Sequence, residues 1–200
     1  MAHRSAGDNP ALRVKQMQRI EYAQRMTHTS SPFAVLQAKQ QAWLITLLTV
    51  VSEAYELGAV IGKGARIIPN EASNDVLTPD VTFMSNKDRK RVQADAIRGP
   101  ALLAIDVLHS RVPEAEREAL RRRYAAAHVL EYWQVDADRG WLNAYQASAK
   151  WQYDLIPPDA KGLHYSAAMV ELAFPVKWFR EQPGLLTLMQ WWGLIEDEED

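Results

Sequence analysis

The chain has 200 residues, of which 48% are hydrophobic and 24% are charged, and its formal net charge is −2. These values suit one globular domain with an added terminal element, and they supply enough apolar material for a core. A net charge so close to zero does not by itself indicate a nucleic-acid-binding protein. The sequence has no cysteine, which excludes disulfides and thiolate metal sites.

Residues 1–30 are predicted to form an N-terminal arm that is partly helical or disordered. Residues 1–10 lack the apolar core of a signal peptide. Residues 11–26 are rich in Gln, Arg and good helix formers, which predicts a modestly amphipathic helix. The longest apolar run, at residues 42–51, is too short to cross a bilayer. We therefore expect a cytoplasmic protein without a membrane segment.

The main domain is predicted over residues 31–195, followed by an acidic tail at 196–200. It begins with a helix over residues 33–57, because apolar side chains recur there at spacings of three and four. The segment AVIGKGARIIP, residues 59–69, combines β-branched residues with two glycines and predicts a strand with a bend. A second short strand is predicted within VLTPDVTFMS, residues 76–85.

The rest of the domain mixes strands with helices. A charged loop with a helical turn precedes the apolar run at 101–108, which predicts a strand. A helix over 113–127 follows, with glutamates early and arginines late. A hairpin spans 131–145, and the last predicted elements are strands at 150–156 and near 172–175 and a helix at 184–195. This order predicts an α/β or α+β sheet flanked by helices.

Two aspartates stand at the ends of neighbouring strands: Asp80 follows Pro79, and Asp106 lies in the apolar run. A buried, unpaired carboxylate costs several kcal/mol, so Asp106 needs hydrogen bonds, a cation or exposure. If the strands are adjacent, both carboxylates and the Val107 carbonyl could bind a hard divalent cation. Alternatively, Asp80 caps a turn by bonding to local backbone, and Asp106 faces water.

From residue 31 onward the chain resembles the Uma2 (Uma-two) family of restriction endonucleases, within the PD-(D/E)XK nuclease superfamily. The resemblance is carried by LTPDVTFMS, GPALLAIDVLHS, RRRYAAAHVLEYWQVD and WLNAY, in the order and spacing of the family pattern. It implies a restriction-endonuclease-like mixed sheet flanked by helices, phosphodiester cleavage dependent on Mg²⁺ or Mn²⁺, and a homodimer.

The resemblance also assigns residues. Asp80 takes the place of the first metal-binding aspartate, Asp106 takes the place of the family's glutamate, and His109 that of its serine. The superfamily's lysine would fall at Leu108, and the position to which this family shifts it is Leu120. The chain therefore departs from the family pattern by having no amine at either position.

Other basic side chains are candidates for supporting the acids. Arg121 could stabilise a phosphate, although it stays protonated and is a poor general base. His109 could orient a water or touch phosphate, or it could be a structural histidine. Lys39 could reach the site from the first long helix. The clusters at 87–91 and 121–123 could contact phosphates or form solvated faces.

Two functions remain open from the sequence. The first is a divergent Mg²⁺- or Mn²⁺-dependent endonuclease that cleaves phosphodiester bonds in DNA or RNA, with Asp80, Asp106 and Val107 as metal ligands and Arg121 or His109 in support. The second is a catalytically inactive, dimeric protein that keeps the nuclease fold and binds nucleic acid or protein.

Overall fold

The computed structural model describes residues 32–70 and 75–196 of the chain. The predicted N-terminal arm and most of the acidic tail lie outside these residues. The chain divides into two compact units, Met1–Val35 and Leu36–Asp200. Only the beginning of the first long helix belongs to the described part of the first unit, and the sheet lies entirely in the second.

Helix α1 covers Pro32–Ala54, which agrees with the predicted helix apart from its last turn. Its buried residues recur at spacings of three and four, as a helix packed along one face requires. They are Trp43, Leu44, Leu47, Leu48 and Val51. No helix among the described residues is both long enough and apolar enough to cross a membrane.

A six-stranded mixed sheet forms the centre of the second unit, in the order β1-β3-β5-β6-β7-β8. Neighbouring strands are antiparallel except β5 and β6, which run parallel. The parallel pair is connected through helix α2, Glu114–Ala126, as a crossover requires. The sheet strands are β1 Gly58–Ile61, β3 Val81–Ser85, β5 Leu103–Leu108, β6 Glu131–Asp136, β7 Trp141–Ala147 and β8 Tyr153–Ile156.

The predicted bent strand over residues 59–69 is divided in two. Strand β1 ends at Ile61, and β2, Ile67–Ile68, pairs in parallel with β4, Ile97–Arg98, away from the main sheet. Gly64 causes the separation, because it takes a φ of +105°, which L side chains rarely adopt. The charged loop after β3 contains a 3-10 helix, Asn86–Arg91, as the sequence predicts.

A short hairpin and two short helices complete the unit. Strand β10, Ala173–Pro175, matches the strand predicted near 172–175 and pairs with β9, Leu163–Tyr165, which was not predicted. Helix α3, Trp178–Glu181, was also not predicted. Helix α4, Leu185–Trp191, is shorter than the predicted terminal helix.

The core has two parts, each built on alternate residues of β5. Leu103, Ile105 and Val107 belong to a cluster with α1, α3, α4 and the β9–β10 hairpin. Ala104 belongs to a second cluster, which includes Tyr124 of α2 and Tyr132 of β6. Helices therefore cover both faces of the sheet, which is the predicted α+β arrangement.

Candidate functional site

Asp80 and Asp106 are brought together by the pairing of β3 with β5. The antiparallel register joins Val81 to Ile105, and the backbone N–H of Asp80 donates to the Ile105 carbonyl at 2.9 Å. Continuing that register by one residue places Asp80 opposite Asp106. Each aspartate is only 8% exposed. The two carboxylates therefore share one nearly buried end of the sheet.

The Asp80 carboxylate is held by the backbone of β5 and by two glutamines of α1. Its Oδ2 accepts from the Val107 backbone N–H at 2.8 Å and from Gln37 Nε2 at 3.3 Å, and its Oδ1 accepts from Gln41 Nε2 at 2.6 Å. Gln37 Nε2 also donates to the Val107 carbonyl at 3.1 Å. Residues four apart lie on one helix face, which is why both amides reach the same carboxylate.

Two tyrosines hold Asp106. Its Oδ1 accepts from the Tyr124 hydroxyl at 3.1 Å and its Oδ2 from the Tyr132 hydroxyl at 2.8 Å, and the two rings stack with centroids 4.3 Å apart. Burial raises the pKa of Asp106 to about 6, the charge of Asp80 adds to the rise, and the tyrosine hydrogen bonds oppose it. The apolar run therefore contains a carboxylate that hydrogen bonds compensate only in part.

The donor set at this end of the sheet fits a hard divalent cation. It consists of two carboxylates and the Val107 carbonyl, all oxygen ligands, and Mg²⁺ commonly takes one or two carboxylates and leaves its other positions to water and phosphate. Two carboxylate charges that are nearly buried at the same end of the sheet repel each other, and a bound cation would offset that repulsion. Among the described residues no group of three or more His, Cys, Asp or Glu is placed to hold a metal.

Arg121 does not contact Asp80 or Asp106 directly in the hydrogen bonds of the described residues. Its guanidinium contacts Glu114 and Glu118, and Nη1 donates at 3.2 Å both to Gln134 Oε1 and to the Tyr145 hydroxyl. Gln134 Nε2 lies 3.4 Å from the Tyr132 hydroxyl, which donates to Asp106. Arg121 is thus connected to Asp106 through two intervening side chains.

His109 lies in the loop after β5. Its Nδ1 accepts from the Arg111 backbone N–H at 2.9 Å and lies 3.3 Å from Asp138 Oδ2 in the β6–β7 turn. The His109 carbonyl accepts from Arg117 Nη2 at 2.9 Å. These contacts join His109 to the loops, whereas Asp80 bonds directly to the Val107 backbone N–H and the β3–β5 register places it opposite Asp106.

Lys63 is a member of the site that the sequence analysis missed. It lies in the turn between β1 and β2, and its Nζ is 3.7 Å from Asp80 Oδ1. A lysine between two glycines in a predicted strand gave no reason to connect it with Asp80. By contrast, the spacing of Gln37 and Gln41 was a usable signal, since it puts two amide donors on one helix face.

A sequence profile of the Uma2 family, described as "Putative restriction endonuclease", matches residues 9–177. No curated protein matches the chain. Among solved structures, one similar fold is the crystal structure of a "putative nuclease belonging to DUF820" from Anabaena variabilis, with 11% sequence identity and a TM-score of 0.57. The similarity covers 74% of this chain and 81% of that one.

Proposed function

The chain belongs to the Uma2 family, described as putative restriction endonucleases, and on that premise we propose that it is a divalent-metal-dependent endonuclease that hydrolyses phosphodiester bonds in DNA. The observation that carries the proposal is the pairing of Asp80 with Asp106 at one nearly buried end of the sheet. Two charged groups in that setting serve no packing purpose, and their repulsion is a cost that a bound cation would remove.

In this proposal Asp80, Asp106 and the Val107 carbonyl hold the ion, which is Mg²⁺ or Mn²⁺. When bound, such an ion supplies Lewis-acid activation of the phosphodiester and of water. Gln37 and Gln41 orient the Asp80 carboxylate through the hydrogen bonds described above. In the overall reaction water forms a new P–O bond, the existing P–O bond breaks, and the leaving oxygen receives a proton.

Tyr124 and Tyr132 orient Asp106 from the other side of the sheet. Burial raises the pKa of each hydroxyl well above its ordinary value, and the Asp106 charge adds to the rise. Both groups therefore remain hydrogen-bond donors at any working pH. We propose that Arg121 is a positioning residue that acts on Asp106 through Gln134 and Tyr132.

We also propose that His109 contacts a phosphate of the bound strand rather than the reacting group. It follows Asp106 by three residues and lies in a loop, where a side chain can turn toward a ligand. His109→Ala should weaken DNA binding about evenly across sequences, because phosphate contacts read no base. Loss of metal binding in that variant would place His109 at the ion instead.

The direct test is a cleavage assay on supercoiled plasmid, linear duplex and single-stranded RNA, with EDTA, Mg²⁺ or Mn²⁺. We expect cleavage of DNA only with a divalent ion, and its loss in Asp80→Asn and Asp106→Asn. Asp154→Asn is the matched control, since Asp154 is an exposed strand aspartate. If the wild type binds DNA but never cleaves it with either ion, the activity proposed here is refuted and a non-catalytic binding protein is favoured.

The assembly and the cellular location also belong to the proposal. The family resemblance implies a homodimer, which sedimentation equilibrium of the full chain would detect as a doubling of mass. The lack of cysteine suits a reducing compartment, and we propose the cytoplasm. A monomer at all concentrations up to those of the cleavage assay would refute the dimer.

A further inference from the structure

A positively charged side chain beside the acid pair would act together with the bound metal ion to ease the approach of a phosphodiester. Asp80 and Asp106 place two carboxylates where a phosphate group, also anionic, would have to approach. Leu108 and Leu120 occupy the two places where the family resemblance expects an amine, and an alkyl side chain offers no charge. Any positively charged side chain near the acids therefore comes from another position in the chain.

Lys63 is placed for this role. Its Nζ lies 3.7 Å from Asp80 Oδ1, and its side chain is 66% exposed whereas that of Asp80 is 12% exposed. The ammonium group thus stands on the solvent side of a nearly buried carboxylate. An ion pair with so exposed a partner contributes only about 0–1 kcal/mol to stability, so the ammonium group can exchange Asp80 for another anion at little cost.

The turn that carries Lys63 is built with a glycine on each side. A Cβ at Gly62 would lie 3.0 Å from Ile45 Cδ1 on α1, so the turn passes close to that helix. Gly64 takes a φ of +105°, and nothing lies within 4 Å of where its Cβ would be. The backbone conformation, and not crowding, requires glycine there. The turn therefore packs closely against the helix at Gly62 and has open space beside Gly64.

A cleft adjoins the same turn. It has a volume of about 430 Å³ and is bounded by residues 61–66 and 92–97, with Lys63 and Arg66 among the side chains that line it. That volume is within the range of small-ligand sites. Two cations and one acid, Asp95, line it. A phosphate bound in this cleft would lie beside Lys63, whose Nζ is 3.7 Å from Asp80 Oδ1.

We infer that Lys63 is a catalytic residue of this site, the amine that donates to the phosphate next to Asp80. The inference rests on the proposed function, because it assumes that a phosphodiester is the substrate. As substrate binds, the ammonium group exchanges part of its contact with Asp80 for a phosphate oxygen. The Lys63 ammonium group offsets negative charge on the phosphate as the P–O bond to water forms.

The test compares Lys63→Met, Lys63→Arg and the control Lys39→Met. Lys39 is exposed, and two residues from Gln37 it lies about 200° around the helix from the amides that face Asp80. Binding of a fluorescently labelled DNA duplex is measured by anisotropy in EDTA over a series of NaCl concentrations. Cleavage is measured with Mn²⁺, and Mn²⁺ binding by calorimetry.

We expect Lys63→Met to weaken duplex binding about three- to tenfold and to reduce the slope of log K against log[salt] by about 1, the effect of one lost phosphate contact. Cleavage should fall about 100-fold, as on removal of one donor to a developing oxyanion. Lys63→Arg should keep the salt slope. Mn²⁺ affinity should be unchanged or higher in Lys63→Met, because a positive charge beside Asp80 is removed.

The outcomes separate this inference from the proposed function. If the wild type cleaves with Mn²⁺ but Lys63→Met matches Lys39→Met in salt slope and cleavage, the role of Lys63 is refuted while the nuclease stands. If Lys63→Met loses Mn²⁺ binding, Lys63 holds the ligands in place and does not serve the phosphate. A wild type without metal-dependent cleavage overturns both.

Discussion

Asp106→Asn should stabilise the metal-free protein in a pH-dependent way. The pKa of Asp106 is raised from 3.8 to about 6, and each unit of a pKa difference between folded and unfolded states corresponds to about 1.4 kcal/mol. Ionised Asp106 therefore costs the folded state about 3 kcal/mol. Below pH 4 the group is protonated in both states and the cost is absent. It grows between pH 4 and 6, and is complete above pH 6.

The measurement is urea unfolding of wild type and Asp106→Asn in EDTA, at pH 4.5 and pH 8. The amide can accept from one tyrosine and donate to the other hydroxyl oxygen, and any mismatch affects both pH values equally. The difference in unfolding free energy, variant minus wild type, should be about 2 kcal/mol more favourable at pH 8, because about 1 kcal/mol of the cost is already present at pH 4.5. An equal difference at both pH values would show that Asp106 ionises in the folded protein as it does in water, and the reasoning would fail.

Asp80→Asn is the matched comparison in that experiment. Removing the Asp80 charge should lower the pKa of Asp106, because the charge of Asp80 contributes to its rise. The dependence of stability on pH should become weaker but persist, since burial is the largest cause of the rise.

Three other changes have definite expected results. Tyr124→Phe removes a hydrogen bond that lowers the pKa of Asp106, so the carboxyl resonance of Asp106 in an NMR titration should move at higher pH than in wild type; a lower midpoint would contradict this. Gly64→Ala should destabilise the protein by about 1–3 kcal/mol, because φ is +105° there and such conformations are costly for other residues; unchanged thermal unfolding would show that the turn relaxes. Glu131→Gln should lower the free energy of unfolding in urea by about 3 kcal/mol. The control is Glu171→Gln at an exposed position, and equal stability of the two variants would contradict the prediction.

The buried carboxylate of Glu131 connects the β9–β10 hairpin to the main sheet through hydrogen bonds. Its Oε1 accepts from Trp133 Nε1 at 2.6 Å and lies 3.1 Å from His164 Nε2, and its Oε2 accepts from Ser166 Oγ at 2.6 Å and the Ala168 N–H at 2.8 Å. Burial by itself raises the pKa of Glu131, but these hydrogen bonds outweigh it and leave the pKa low. A glutamine would turn an NH₂ group toward two of the donors.

The elements that local pattern decides were predictable. The periodicity of α1 and the sequence β5–α2–β6 follow from side-chain spacing, glutamates early in α2 and the hairpin after Glu131. Strand β9 was missed because its three residues are fixed by a long-range contact, His164 with the buried Glu131. No local pattern in LHY reports that contact. The prediction of one bent strand at 59–69 was partly wrong, because a single glycine with positive φ divides the segment into two strands.

The candidate site was predictable only as a possibility. The sequence singles out Asp80 and Asp106, but their opposition depends on an antiparallel β3–β5 register that two short apolar strands do not specify by themselves. Lys63 lies far from both in the sequence and reaches Asp80 only because the turn after β1 passes near that carboxylate. Tyr132 pairs with Ala104 in the β5–β6 register, two residues before Asp106, and from there its hydroxyl donates to the Asp106 carboxylate.

Calorimetric titration of Mn²⁺ into the wild-type chain and into Asp106→Asn, each with and without a phosphorothioate duplex that resists cleavage, tests the central claim most directly. The account predicts a binding heat for the wild type that is lost or strongly reduced in Asp106→Asn, with tighter binding when the duplex supplies phosphate ligands. Equal Mn²⁺ binding by both proteins, or none by the wild type even with the duplex, would contradict the assignment of Asp80 and Asp106 as a metal site.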